Sequence, residues 1–295
     1  VRLRLRGNAD VRTMKRLLLV GSNASASWRI RGEQLGRALG ASLSNFGDPL
    51  AGGQRPDLAI VVKRPNAGAV ARLRAAGVPI VWDIVDAWPQ PIGNWWERDV
   101  CVQWLKREIK AIRPAAVVAS TSAMASDLSP FGLPTLVLPH HARPGLERAT
   151  VRPEISRVGY EGGQSYINGW FADIDGACRK RGWRFDPKPP SVSALDIVVA
   201  VRDADGYAAK NWKSNVKLAN AQAAGVPCVL NRERGYLETA SGAELWADTP
   251  VEMESAFDTL SAENGARSWR SELMHAKTPR IEAIAAQYRT WLESL

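Results

Sequence analysis

The chain has 295 residues, 45% hydrophobic and 23% charged, an ordinary globular composition that allows one large α/β domain or two of about 140 residues. Three cysteines, Cys101, Cys178 and Cys228, stand far apart without CxxC spacing, which argues against a disulfide framework or a zinc site and for a reducing compartment, the cytoplasm. No apolar run approaches the roughly 18 residues of a membrane-spanning helix, and the net charge of +9 favours anionic partners such as sugar nucleotides, nucleic acid or an acidic membrane surface.

The basic segment before Met14 (Arg2, Arg4, Arg6, Arg12) reads as a misassigned start or a floppy arm, because Met14 immediately precedes the strand pattern KRLLLVG. From there the chain reads as a βα series. A strand over 16–22 is followed by a helix over 27–40, a strand over 57–63 and the helix AGAVARLRAAG. Then come a strand over 79–86, a helix around 95–112, a strand over 115–121, a short helix over 122–129 and a strand over 135–141. Short apolar runs divided by helical patterns specify a parallel, doubly wound sheet. Residues 142–156, ARPGLERATVRPEIS, carry proline and charge with little periodicity and read as a linker.

A second series follows: RVGYEGG, the helix SYINGWFADIDGACRKRG, strands near WRF and over 196–202, a helix over 214–224, PCVLN, a short helix near 235–242, and ELWAD. Residues from about 251 onward read as helical. The most informative stretch is KSNVKLANAQAAGVPCV, 213–229. Lys213 and Lys217, four apart, share a helix face. Ser214 or Asn215 can cap the free amides, and Gly225 and Pro227 end the helix before a strand. Such a helix start suits a nucleotide diphosphate. Arg202 ends the strand DIVVAV, where ligands of open α/β sheets collect, and the Gly162–Gly163 pair brings backbone amides toward a diphosphate or makes a plain tight turn.

SWRIRG (27–32), LPHH (138–141), VGYEGG (158–163) and KSNVKLANAQAAGVPCVLNRERGYLE (213–238) together resemble a glycosyltransferase of the GT-B fold, in the nucleotide-sugar group whose retaining members bind the donor in the C-terminal lobe. The resemblance implies an α/β protein of two Rossmann-like doubly wound lobes facing across a cleft. The acceptor lobe is 14–141, the linker 142–156, the donor lobe 157–278, and a C-terminal helix over 279–295 packs back on the first lobe. It implies transfer of a hexosyl group from a nucleotide-sugar co-substrate, a UDP-sugar foremost, with no tightly bound cofactor and no metal. Many members carry one glutamate before the donor helix and another inside it, the second contacting the donor ribose. Here those positions are Trp212 and Asn220, an asparagine that can still bond a hydroxyl, with Glu238 as a substitute for the ribose contact.

Acid–base candidates fall in the first lobe: Asp83 and Asp86 at the end of PIVW, and His140 with His141 closing the last strand. Arg29 and Arg31 either meet an anionic ligand or form a solvated helix face. Asp203 and Asp205 make a DxD string that carries no metal assignment. No GxGxxG, GxSxG, HExxH or P-loop is present, which removes nicotinamide, hydrolase, zincin and NTPase readings. Twelve tryptophans serve packing or stacking on sugars or bases. The acceptor stays open between hydroxymethylated DNA bases and a polysaccharide, lipid carrier or metabolite. A non-catalytic sugar-nucleotide or nucleic-acid binding protein is the reading from another class.

Overall fold

A computed structural model describes residues 16–22, 25–51, 53, 55–86, 88, 95–203, 206–262 and 267–295. The segment before Met14 and Asp205 lie outside the described residues. Contact density divides the chain into two units, one of 1–89, Asp99–Leu138 and Ile281–Leu295, the other of 90–98 and Pro139–Arg280.

In the first unit the apolar runs become short parallel strands: β1 Leu17–Gly21, β2 Ser42–Asn45, β3 Leu58–Val62, β4 Ile80–Asp83, β5 Ala116–Ala119 and β6 Thr135–Val137, in the order β2-β1-β3-β4-β5-β6. β3 (LAIVV) is buried at every position, as a strand covered on both faces must be. The helices are α1 Leu35–Leu39, α2 Ala67–Ala75, α3 Arg98–Ile112 and α4 Ser122–Leu128. Asn66 caps α2 by accepting from the Ala69 amide at 3.0 Å, and Thr121 caps α4 through the Met124 amide at 3.1 Å.

Two features of this unit depart from the sequence reading. β2, SLSN, was not anticipated. It is an edge strand, polar but for Leu43, that pairs with β1 alone. The helix expected over 27–40 is π-helical over Trp28–Gln34 before it tightens into α1. Trp28 accounts for the close fit there, since a Cβ added at Gly21 or Gly32 would stand 2.2 or 2.3 Å from its ring.

The second unit repeats the plan with β7 Arg157–Gly159, β8 Arg184–Asp186, β9 Ile197–Ala200, β10 Cys228–Leu230 and β11 Leu245–Trp246, all parallel, in the order β11-β10-β9-β7-β8. Its helices are α5 Asn168–Lys180, α6 Tyr207–Asn211, α7 Val216–Ala224, α8 Arg234–Leu237, α9 Pro250–Ala262 and α10 Arg267–Ala276. Residues 142–156, read as a linker, are counted with this unit. Ala142 donates to the Pro279 carbonyl and Ala149 to that of Ala224, and Leu146 and Ala149 pack on the core that contains Leu218 and Ala221.

The final helix, α11 Ile281–Glu293, belongs to the first unit, where Ile284, Ala285, Tyr288 and Leu292 join Leu19, Leu35, Ile60 and Leu138 in one core. Among the described residues no helix is long and apolar enough to cross a membrane.

Candidate functional site

In the second sheet the chain winds from β7 to β8 on one side and then places β9 on the other. Open α/β sheets bind ligands at the carboxyl ends of the strands where the winding reverses, here just beyond β7 and β9. Tyr160, Glu161 and Gly162 follow β7, and Arg202 follows β9.

A buried charged cluster fills this point. Lys217, in the first turn of α7, donates to the Tyr160 hydroxyl at 3.0 Å and lies 4.6 Å from the ring centre. Arg202 pairs through Nε with Glu233 at 2.5 Å and donates to the Tyr236 hydroxyl at 2.7 Å. Its backbone amide donates to Asn231 Oδ1 at 2.6 Å, and Asn231 donates onward to the Ala247 carbonyl, which fixes β9 against β10 and β11. Gly162 permits the loop to approach, because a Cβ there would lie 2.9 Å from the Tyr160 hydroxyl and 3.0 Å from Lys217 Cε. Gly235 serves α8 in the same way, as its Cβ would stand 2.3 Å from the Lys213 carbonyl oxygen.

The electrostatics follow from burial. Loss of solvent, joined by the Arg202 charge, holds the Lys217 ammonium well below its ordinary pKa, against the pull of Glu233. Burial raises the Glu233 carboxyl although Arg202 and Lys217 oppose it. Burial also pushes the Tyr160 phenol up to about 12. For Arg202 burial acts downward, and the charge of Glu233 together with Tyr236 and Tyr160 more than offsets it. Two buried cations thus share one carboxylate, with Lys213, 5.6 Å from the Tyr166 ring centre, adding its charge to both Lys217 and Glu233. Uncompensated charge in a cluster buried this deeply is costly.

Beside the cluster lies a pocket of 210 Å³ lined by Arg143, Tyr160, Glu161, Gly162, Lys188 and Pro189, among others. Asn220 does not present its amide to this space as a lone hydroxyl binder. Its Nδ2 donates to Glu161 Oε2 at 2.7 Å and its Oδ1 accepts from the Arg143 backbone amide at 2.8 Å. Glu238 sits at the C-cap of α8 and pairs with Arg234 at 3.7 Å; the carboxylate inside the cluster is Glu233. Gly163 is exposed beside Tyr166. Asn215 was expected as a capping candidate, but its side chain makes no cap bond. It accepts from the His140 amide at 2.7 Å and donates to the His140 carbonyl at 3.2 Å. His140 and His141 are both buried, and Asp203 accepts from the Gly169 amide at 2.8 Å.

In the first unit the winding reverses between β1 and β3. There Lys63 donates to Ser27 Oγ at 2.9 Å and pairs with Asp86 at 3.0 Å. Lys63 and Val85 both hold left-handed backbone, φ 63° and 72°, a costly conformation for side-chain-bearing residues that recurs at functional sites. Asp83 is buried, with Oδ1 accepting from the Val85 amide at 3.1 Å and Oδ2 3.8 Å from Arg31 Nε, so it holds the turn on which Asp86 stands. Burial raises its carboxyl, and Arg31 works against the rise. Arg31 itself is buried and donates to the Leu138 carbonyl at 2.5 Å, neither a solvated helix face nor an open anion contact; Arg29 is exposed.

No family model matches the sequence, and no curated protein matches it at a significant level. Solved structures do superpose. Anabaena HepE in complex with UDP and glucose matches at a TM-score of 0.64 and 12% identity over 95% of this chain and 99% of that one. Sucrose-phosphate synthase from Thermosynechococcus elongatus matches at 0.64 and 11% identity over 95% and 100%. The chain has the GT-B fold. UDP-GlcNAc 2-epimerase from Neisseria meningitidis, bound to UDP-GlcNAc, also matches, at 0.54 and 9% identity over 95% and 100%, so GT-B architecture alone does not separate transfer from epimerisation.

The residues that the sequence did not single out are Tyr160, Glu161, Glu233 and Tyr236 in the second unit and Ser27 and Lys63 in the first. Lys63 had a legible signal, as the first residue past the apolar run LAIVV. Glu233 had none, since its role arises from a partner distant in sequence, Arg202 beyond the end of β9.

Proposed function

We propose that this chain is a nucleotide-sugar glycosyltransferase whose second unit grips the donor diphosphate through Arg202 and Lys217. The observation that carries the reading is the pair of buried cations around a single carboxylate at the reversal point of the second sheet, with a nucleoside-sized pocket beside it. In sugar transfer negative charge grows on the leaving diphosphate. Preorganised cations in a desolvated site stabilise it where water would do so poorly. Nucleotide sugars in HepE and in the epimerase support the same ligand class. Three buried cysteines outside any disulfide suit a reducing compartment such as the cytoplasm.

The donor is a UDP-hexose in this reading, and the acceptor is a hydroxyl compound, with hydroxymethylated DNA, glycans, lipid carriers and small metabolites as the classes to be screened. Asp86 in the first unit and His140 in the second are separate candidates for handling the acceptor proton, each to be tested by its own substitution. Thermal shift with UDP, GDP and ADP tests the donor site, since a ligand that binds only the folded protein raises its melting temperature. UDP is expected to stabilise the parent chain, and Lys217→Met and Arg202→Met are expected to abolish the shift. An equal shift in parent and variants would refute the assignment. Chromatography of a turned-over UDP-hexose separates the enzymatic readings: a new glycoside marks transfer, whereas an epimerised nucleotide sugar marks the second reading that the Neisseria neighbour favours.

A further inference from the structure

A strip of positive charge runs along one face of the first unit. Right-handed crossovers join β3, β4 and β5, which are successive neighbours in the sheet, so α2 and α3 lie together on one side of it. There the Trp82 ring approaches that of Trp104 in α3, 5.8 Å between centres, while Val81 points the other way into the core that α1 and α11 cover. α3 buries Cys101, Trp104, Leu105 and Ile112 and turns Lys106 and Lys110 outward on one face, with Arg113 following just past its end. Arg107 is exposed too, as is Arg74 in the last turn of α2. Lys106, Lys110, Arg113 and Arg74 make no ion pair among the described residues. The acidic groups of α3 are Asp99, in its first turn, and the half-buried Glu108. On the other side of the sheet the exposed charges of α1 and α11 balance, Arg37 and Arg289 against Glu282 and Glu293.

We infer that this face docks the protein on an anionic phospholipid bilayer. Charge fixes the sign of the partner, since exposed lysines and arginines are drawn to a negative headgroup layer and their contributions add. Position separates a tether from a substrate track. Each helix runs back along the sheet, so Arg74, Lys110 and Arg113 stand toward the amino ends of the strands, shortly before β4 and β5 begin at Ile80 and Ala116. Lys63 and Asp86 stand at the carboxyl ends. A substrate guided by the strip would arrive at the wrong edge of the sheet, whereas a surface that only holds the protein needs no path to that edge. Shape favours a plane over a duplex. The charges lie along the sides of two helices, while duplexes are commonly met by an element that enters a groove. Val100 is 46% exposed, and Val102 and Ile109 are half-buried along the same helix, so the strip has apolar edges that suit a headgroup and acyl boundary better than a phosphate backbone.

Co-sedimentation of the full chain with vesicles tests the inference. Vesicles of phosphatidylglycerol in phosphatidylcholine are expected to bind the parent at about 0.1 M salt and to release it at about 1 M, where the screening length falls to about 3 Å. Pure phosphatidylcholine is expected to bind little. The triple change Lys106→Gln, Lys110→Gln and Arg113→Gln is expected to weaken binding about 100-fold, near fivefold for each charge. Arg37→Gln with Arg289→Gln removes charge from the other side of the sheet and is expected to change binding less than about twofold. All five side chains are exposed, so circular dichroism and the thermal shift with UDP are expected to match the parent in both variants. Should the triple variant fold poorly, the single changes Lys106→Gln and Lys110→Gln are read instead, at about fivefold each. Comparable weakening on the two sides of the sheet shows a response to net charge alone and overturns the inference. So does a parent that binds neutral and anionic vesicles alike, or binds neither. A triple variant that keeps its vesicle binding but loses affinity for a DNA duplex overturns it in favour of nucleic acid.

Discussion

Lys217 is the side chain whose chemistry depends most on its surroundings. Burial and the nearby charges of Arg202 and Lys213 depress its pKa, while Glu233 pulls the other way. As pH rises through that depressed value toward the ordinary 10.5, the free protein sheds the proton that a bound diphosphate requires. UDP affinity is therefore expected to fall with pH across that window, and Lys217→Arg, which stays charged, is expected to flatten the profile; calorimetry at neutral and alkaline pH reads both. The Arg202–Glu233 pair makes a second prediction. Removing one member strands a buried charge, so Glu233→Ala is expected to cost about 3 kcal/mol in urea unfolding, whereas the double change Arg202→Met with Glu233→Met costs less than Glu233→Ala alone. Lys217, Arg202 and Gly162 were legible in the sequence because each follows a local rule, a helix start or a strand end. Glu233, Tyr160 and Glu161 were not, because their partners are set by tertiary contact: Asn220 meets Glu161 across 59 residues and Arg202 meets Tyr236 across 34.

At the scale of elements, most strands and helices could be read from periodicity, since a strand covered on both faces announces itself as a short apolar run. β2 escaped because an edge strand of alternating serine needs no apolar run, only a free edge on β1. The π-helical turn escaped because the apolar pattern over 27–40 is the same for either kind of helix. Trp28 is packed where Gly21 and Gly32 leave room, and no sequence period reports that fit. Gly32→Ala is accordingly expected to destabilise the protein by about 1–3 kcal/mol through overpacking, seen as a lower melting temperature. Gly40→Ala is no control for crowding, because nothing stands near its Cβ and its cost comes from a left-handed φ of 71°.

For the molecule as a whole, the two parallel sheets were legible as two successive βα series, and the helical end of the chain as a helical pattern. The extent of the second unit was not. Residues 142–156 lack periodicity yet are held by backbone bonds and by the packing of Leu146 and Ala149. The first unit depends on α11 for part of its core, so Tyr288→Ala is expected to cost about 3 kcal/mol or more. In calorimetry that loss is expected to lower the unfolding transition of the first unit and leave that of the second in place.

The discontinuity of the first unit also sets an order of events during synthesis. A ribosome delivers β1 to β6 long before α11, so the nascent first unit carries an open apolar seam for as long as Pro139–Arg280 is being translated. The second unit, contiguous apart from a short upstream segment, has all its strands outside the tunnel sooner relative to its own completion. Sealing the first unit thus waits until all of Pro139–Arg280 has been made, and a chain stalled before α11 exposes Leu19, Leu35 and Ile60 to chaperones.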